Sequence, residues 1–359
     1  MGCAVTVLPA EALLSSTPDT VLWGELPCAA DDPVTTVSPG DSLVIDSVSH
    51  EGMLEDQGRD PLRFFTERGI DAGAVLPDAI AVAAEVDHDP SRHGPHIVTG
   101  PIRVRGARPG DVLSITVERL ELRADYGIVS NRHAKGALPE RFPVDGSTDT
   151  LSILGRVDAA GRGVLPTGPG ADRFVRFPLR PFLGITGVAV AVDRRVHSVP
   201  PGPHGGNIDI SLLGVGSTVH LPVQVEGAVA YIGDPHYAQG DGEVALTAFE
   251  APLRATLRFD LVPAAELAAP RRLWGETADL LIPIGLHEDL DEAMRACVHG
   301  AVDLLVAAGM HPAYAYAYLS AAGDFAVSQV VDQVCGIHGR IRKSDLADLT
   351  HHYSAQNAR

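Results

Sequence analysis

Short runs of alternating apolar residues punctuate the first three quarters of the chain: Ser42 to Ile45, Ile102 to Val104, Val112 to Val117, Gly187 to Val192, Thr218 to Val225, Val244 to Phe249 and Thr256 to Leu261. A period of two puts every second side chain on one face of a strand. Glycine and proline, 37 and 27 residues, fill the intervals and read as turns. The pattern predicts a mainly β body, sandwich-like or barrel-like, built of short strands. One local echo supports it: Pro39-Gly40-Asp41 and Pro109-Gly110-Asp111 each lead into an alternating run, the same turn chemistry used twice.

The period changes near residue 285. Leu290, Ala293, Met294, Cys297, Val298, Ala301, Leu304 and Leu305 fall at helical spacing, with Asp289 as N-cap and Gly309 as stop. A second helix is predicted over Ala313 to Leu319 and a third from Asp324 to near Gly336. The stretch 122–173 shows little periodicity and is predicted to be a long-loop insertion. The expected organisation is a β-rich body over 1–284, carrying the chemistry, and a helical or α+β part over 285–359 packed on it. The residues from His351 are polar and expected to fray.

Charge narrows the function classes. Against 28 Lys and Arg stand 46 Asp and Glu, a net charge of -18. Such a chain repels nucleic acid phosphates and anionic membranes, and no basic stripe offsets it. No apolar stretch reaches membrane-spanning length, and a cytoplasmic protein is expected. Cys3, Cys28, Cys297 and Cys335 lack metal or redox spacing and read as free thiols. Met1-Gly2-Cys3-Ala4-Val5-Thr6 fits the loose myristoylation pattern, read as chance in a chain whose heavy Ala, Gly, Val, Asp and Arg usage suggests a GC-rich bacterial genome.

Four segments concentrate reactive side chains. In Gly233-Asp234-Pro235-His236-Tyr237-Ala238-Gln239-Gly240-Asp241-Gly242-Glu243, extended backbone would turn Asp234 and His236 to one side, and likewise Asp241 and Glu243. Carboxylate with imidazole suits Zn²⁺ or another divalent ion; a tight turn with local hydrogen bonds is the plainer reading. His204-Gly205-Gly206-Asn207-Ile208-Asp209 repeats the i, i+2 spacing beside paired glycines. Asp87 to His96 holds three histidines in nine residues, ending in His96. Ile45-Asp46-Ser47-Val48-Ser49-His50 places Asp46 at a strand end.

Together these segments resemble the acetamidase/formamidase family. The residues carrying the resemblance are Pro39-Gly40-Asp41 with Asp46, His96 with Thr99-Gly100-Pro101, Gly106 to Asp111, Gly205-Gly206-Asn207-Ile208-Asp209, Leu221-Pro222-Val223, Gly227-Ala228, and Gly233 to Glu243 with Glu250 downstream. They run in order across roughly residues 30 to 335, and Leu319-Ser320, Asp324 and Gln329 to Asp332 fit the family's C-terminal region. The resemblance implies hydrolysis of short amides to carboxylate and ammonia, a β-rich fold and a zinc or calcium site, with signature positions at His96, Asn207, Asp209, Asp234, His236, Gln239 and Glu243. On that basis Asp46, His96, Asp209, Asp234 and His236 are expected to hold a divalent metal, Zn²⁺ with Ca²⁺ as the alternative. Glu243 is expected as general base and Asn207 as a donor to the developing oxyanion. His133, Lys135, His204 and Gln239 are expected to contact substrate. Tyr126 to Pro143 and Ser49-His50-Glu51-Gly52 look particular to a subfamily. A homo-oligomer, a dimer, is expected from the family likeness and the apolar C-terminal helices. Two other readings stay open: a non-catalytic metal- or ligand-binding β protein, and a hydrolase of a different amide or C–N bond.

Overall fold

The computed structural model describes residues 13–143 and 149–349. The Met1 to Thr6 pattern with Cys3, and the tail from His351, lie outside the described residues. Among the described residues the strands form a nine-stranded sheet, an eleven-stranded sheet and a two-stranded pair, so the mainly β expectation holds. In the nine-stranded sheet Leu253–Val262 lies between Ser42–Asp46 and Val112–Leu122, all antiparallel. The two strands flanking it are those entered by the echoed Pro-Gly-Asp turns. Asp41 Oδ2 accepts from Ser38 N at 2.7 Å, and Asp111 Oδ2 accepts from Arg108 N at 2.9 Å. At the centre of the eleven-stranded sheet Ala230–Ala238 pairs with Phe182–Val188, Ile97–Val104 and Phe249–Glu250. The sheets pack face to face. Leu43, Ile45, Leu113, Ile115 and Leu257 of one bury against Leu183, Ile232 and Tyr237 of the other, which is the alternation read from the sequence.

The C-terminal helix Leu290–Ala307 starts where expected. Asp289 accepts from Asp291 N at 2.9 Å and Glu292 N at 3.0 Å. With Pro312–Ala322 it buries Ala301, Leu304, Leu305, Ala315 and Leu319 against Trp274, Leu281 and Ile341. Much of the apolar helix surface is therefore core, while Leu290, Met294, Tyr314 and Tyr316 stay exposed. The third helix is a correction. Asp324–Gln329 and Cys335–Arg342 are antiparallel strands continuing the nine-stranded sheet. The proposed boundary at 285 falls inside the strand Leu280–His287 of that sheet. Residues 122–173 are also corrected: Tyr126–Arg132, Thr150–Val157 and Arg162–Pro166 are strands, followed by Phe174–Pro178 at the sheet edge. Residues 244–248 carry no strand, and two short helices, Pro61–Thr66 and Pro77–Glu85, sit in the body unannounced by the pattern. Cys28, Cys297 and Cys335 are free.

Candidate active site

Around Ala230–Ala238 the eleven-stranded sheet carries polar side chains where a core belongs. Asp234 and His236 share a face as alternation requires, and His236 Nε2 lies 3.1 Å from Asp234 Oδ2. Glu250 is the cross-strand partner of His236, with Oε1 at 3.0 Å from the same nitrogen. Asn207 ends Gly205–Asn207, which pairs with Phe182–Val188, and Asp209 follows with its backbone N–H donated to Gly184 O at 3.2 Å. His96 precedes Ile97–Val104; His50 and Glu51 follow Ser42–Asp46. Glu243 comes from the turn after Ala238, and Asp332 from the loop between the two C-terminal strands. The site thus draws on both parts of the chain.

The backbone is bent to make this cluster. Asp209, Asp234 and Glu243 hold left-handed conformations, at φ 47°, 51° and 44°. Non-glycine residues reach that region at a cost and concentrate at functional sites. Gly184 supplies the space. A Cβ there would lie 2.5 Å from Asp209 Oδ1 and 2.6 Å from Asp234 Oδ2.

The donors aim at common points rather than at one another. His236 Nε2 sits close to two carboxylates, yet its direction makes a hydrogen bond to neither. His50 Nδ1, both oxygens of Asp209, Asp234 Oδ1, Glu250 Oε2, Asp332 Oδ2 and Asn207 Oδ1 are likewise buried without hydrogen-bond partners. Buried polar atoms are normally paired. Donor atoms of His50, His96 and Asp234 lie within 4.8 Å of one another, as do those of Asp209, His236 and Glu243, and of Asp234, His236 and Glu250. These groups could hold a metal ion. The imidazoles are oriented from behind. Gln239 Nε2 donates to Asp209 O and Ser328 O, so its Oε1 accepts from His236 Nδ1 at 3.0 Å, which leaves Nε2 turned toward Asp234 and Glu250. His96 Nδ1 lies 3.1 Å from Ser198 Oγ. His50 Nε2 faces Glu51 Oε1 at 3.5 Å, and Glu51 is held by Arg132 at 2.9 Å, Gln57 at 2.5 Å and Ser130.

The charges do not balance. Burial, then Glu243 and Asp332, push the Asp209 carboxyl well above its usual range; burial and Asp332 do the same to Glu243. Asp332 is pushed up to about 8 by burial and the charges of Asp234 and Glu250. Burial also works against Asp234, but the charge of His236, with the His50 ring also close by, holds it well below the usual range. Burial brings His96 down to about 4 and leaves it neutral. Burial opposes charge on the other two imidazoles, but Glu250 and Asp234 hold His236 well above its usual range, and Asp234 and Glu51 hold His50 up at about 10. Five buried carboxylates around three imidazoles still leave an excess of negative charge, which suits a cation.

A cavity of about 710 Å³ opens over the cluster, and Asn207, Asp209, Asp234, Glu243, Glu250 and Asp332 line its floor. Of the expected site residues, Asn207, Asp209, His96, Asp234, His236 and Glu243 come together, and Lys135 lines the cavity wall. Asp46 does not join them. Its carboxylate receives Arg254 Nε and Nη2 at 2.7 and 2.9 Å, with Arg123 at 3.4 Å, and is neutralised as structure. Asp241 turns outward to Arg340. Gln239 is buried and spent on orienting His236. His204 is buried against Leu26 and Gly206 away from the cavity, and His133 is exposed outside it. His50, Glu51, Glu250 and Asp332, which the sequence marks only as parts of longer segments, belong to the site, and so does Gly184, which lies in none of them.

The sequence model of the Acetamidase/Formamidase family matches residues 186–337. That stretch includes Asn207, Asp209, Asp234, His236, Glu243, Glu250 and Asp332, and the resemblance read from the sequence holds. A formamidase of Methylophilus methylotrophus is 29% identical over 191 residues, 42% of this chain and 47% of that protein. An acetamidase of Mycolicibacterium smegmatis is 28% identical over 201 residues, 42% of this chain and 49% of that protein. The matched part spans about half the length of these relatives. The crystal structure of an acetamidase from Bacillus halodurans superposes with a TM-score of 0.72 at 23% identity, covering 94% of this chain and 99% of that one; the fold is shared along nearly its whole length. Among the described residues no helix is long and apolar enough to cross a membrane.

Proposed function

We propose, with the match to the acetamidase/formamidase family as premise, that this protein hydrolyses a short carboxamide to a carboxylate and ammonia at the buried cluster. The observation that carries the reading is the convergence of orphaned carboxylate and imidazole donors on the cavity floor. His50, His96, Asp209, Asp234 and His236 are the residues suited to hold a divalent ion. Their mixture of nitrogen and oxygen donors favours Zn²⁺ over Ca²⁺, which prefers oxygen alone. Bound there, such an ion supplies acidification of water and polarisation of the amide carbonyl.

The remaining work falls to the chain's own residues. Glu243 faces the cavity, and its carboxyl is pushed up by burial and by Asp332. In its ionised form such a carboxylate is more basic than usual, so it can take a proton from the attacking water and return it to the departing nitrogen. Asn207 lines the same wall and can donate its amide N–H to the carbonyl oxygen as charge develops there. A thiol nucleophile is poorly served: burial pushes Cys297 up to about 12. Ammonia release from acetamide, formamide and longer amides, before and after chelation, tests the reading. Turnover that stops on chelation and returns with Zn²⁺ is expected. Binding of metal without release of ammonia from any amide would make the protein a non-catalytic binder.

A further inference from the structure

The cavity is much larger than a two-carbon amide needs. With water's share of about 30 Å³ per heavy atom, acetamide's four such atoms occupy roughly 120 Å³. The cavity holds about 710 Å³. What lines the remaining space decides what fills it.

Above the floor, the wall carboxylates are already neutralised. Glu55 pairs with His88 at 2.8 Å and Arg59 at 3.1 Å; Asp56 pairs with Arg132 at 2.7 Å and accepts from Thr150 at 2.7 Å. Arg132 is shared between Asp56 and Glu51. Lys135 is the one charged wall residue without an ion pair among the described residues. Its loop is fixed by Lys135 N donating to Arg132 O at 3.1 Å and Ala137 N to Val244 O at 2.9 Å. His93 and His197 line the same wall. Each accepts a backbone N–H at Nδ1, from Asp89 and Val199 at 3.2 Å, which leaves each neutral ring with a free Nε2–H donor. The three line one cavity, and burial, which comes first, and the charge of Lys135 both lower the His197 ring from its usual range. Gly94 permits the packing, since a Cβ there would lie 2.9 Å from His197 Cε1. In a chain of net charge -18, this is a local site of donors and positive charge beside a metal-type floor.

We propose that the amide cleaved here carries a carboxylate at its far end, bound at the cavity wall by Lys135 together with His93 and His197. The inference rests on the amidase reading above and names its substrate class, the monoamides of linear dicarboxylic acids. Water's oxygen bonds to the carbonyl carbon, the C–N bond breaks, and the nitrogen takes a proton and leaves as ammonia, so the product is a dicarboxylate. The wall grips one end while the floor works on the other, the arrangement that turns remote binding into rate.

The test is ammonia release by the zinc-loaded protein from succinamate, glutaramate and adipamate, each against the uncharged amide of equal chain length. At least a tenfold higher kcat/KM is expected for the best of the three acids. Lys135→Ala should cut that ratio about tenfold, chiefly through KM of the acid, and Lys135→Arg should keep it. High salt should shrink it, as for any partly exposed charge pair. A wild-type ratio near one overturns the inference, as does a Lys135→Ala ratio equal to wild type. Acetamide turnover with no preference for the acids removes this inference alone. Turnover of no amide removes it together with the amidase reading.

Discussion

Both sheets bury carboxylates against imidazoles, with opposite outcomes. In the nine-stranded sheet, Glu276 accepts from His220 Nε2 at 2.9 Å and Lys343 Nζ at 2.6 Å, and His220 Nδ1 meets Ser114 Oγ at 2.8 Å. Burial opposes the charge of Glu276, but His220 and Lys343 outweigh it and bring the carboxyl down to about 2. Every group has a partner, and none of these residues holds a left-handed backbone. Around the eleven-stranded sheet Asp209, Asp234, Glu243, Glu250 and Asp332 crowd together; Asp209, Asp234, Glu250 and Asp332 have unpaired oxygens, and Asp209, Asp234 and Glu243 hold left-handed backbone. The residue types are the same. The balanced network is scaffold; the unbalanced one is poised for something that the chain does not itself supply.

The comparison can be broken at several points. The largest effect belongs to Glu243→Gln, which should keep the fold and bound metal while amide turnover falls by roughly 10²–10⁴. Activity equal to wild type removes Glu243 from proton transfer. Gly184→Ala should come next, because its methyl would enter the space of Asp209 and Asp234. Metal affinity and turnover should fall by about 10–100-fold, the scale of losing a metal site's supporting contacts. On the scaffold side, Asp46→Ala removes the carboxylate that receives Arg254, while Arg123 keeps Asp78 at 2.6 Å; it should cost about 1–2 kcal/mol in chemical denaturation, with metal content unchanged. Loss of metal in that variant would restore Asp46 as a ligand. Glu276→Gln should cost about 2 kcal/mol near neutral pH.

The smallest effects carry opposite signs with pH. Glu276 is lowered from 4.5 to about 2, so its contribution is present above 4.5 and is lost as pH falls through 2. Asp332 is raised from 3.8 to about 8, so the metal-free folded state keeps a proton that the unfolded chain releases. Stability of the metal-free protein should therefore decline as pH rises from 3.8 through 8, and added Zn²⁺ should raise Tm most at the upper end. Thermal melts from pH 3 to 8.5, with and without metal, read both signs; an identical metal-induced shift at every pH contradicts the account of the cluster.

What the sequence disclosed depended on the range of the interactions. Asp234 and His236 were legible because two residues of one strand meet through alternation alone. The echoed Pro-Gly-Asp turns were legible for the same local reason, as was the Asp289 cap. Asp46 was misread because its fate is set by Arg254, its cross-strand partner 208 residues away. Glu250 and Asp332 reach the site through strand register and a distant loop, which no local period encodes. Gly184 left a signal, a glycine inside the apolar run Phe182-Leu183-Gly184-Ile185, where a missing side chain marks a close approach. Thr150–Val157 and Arg162–Pro166 are half-exposed along most of their length and Tyr126–Arg132 is buried on both faces over its first half, so none of the three shows the clean alternation of a strand lying on a core. The helix expected after Asp324 is overridden by pairing at a distance: Asp324–Gln329 lies antiparallel to Cys335–Arg342, where Gly339 lets Pro283 and Phe325 press close.

Calorimetric titration of Zn²⁺ into chelator-stripped protein, wild type beside Asp234→Ala, tests the central claim most directly. Saturable binding by the wild type, accompanied by a higher Tm and abolished in the variant, is the predicted result. A wild type that binds no more tightly than Asp234→Ala would contradict it.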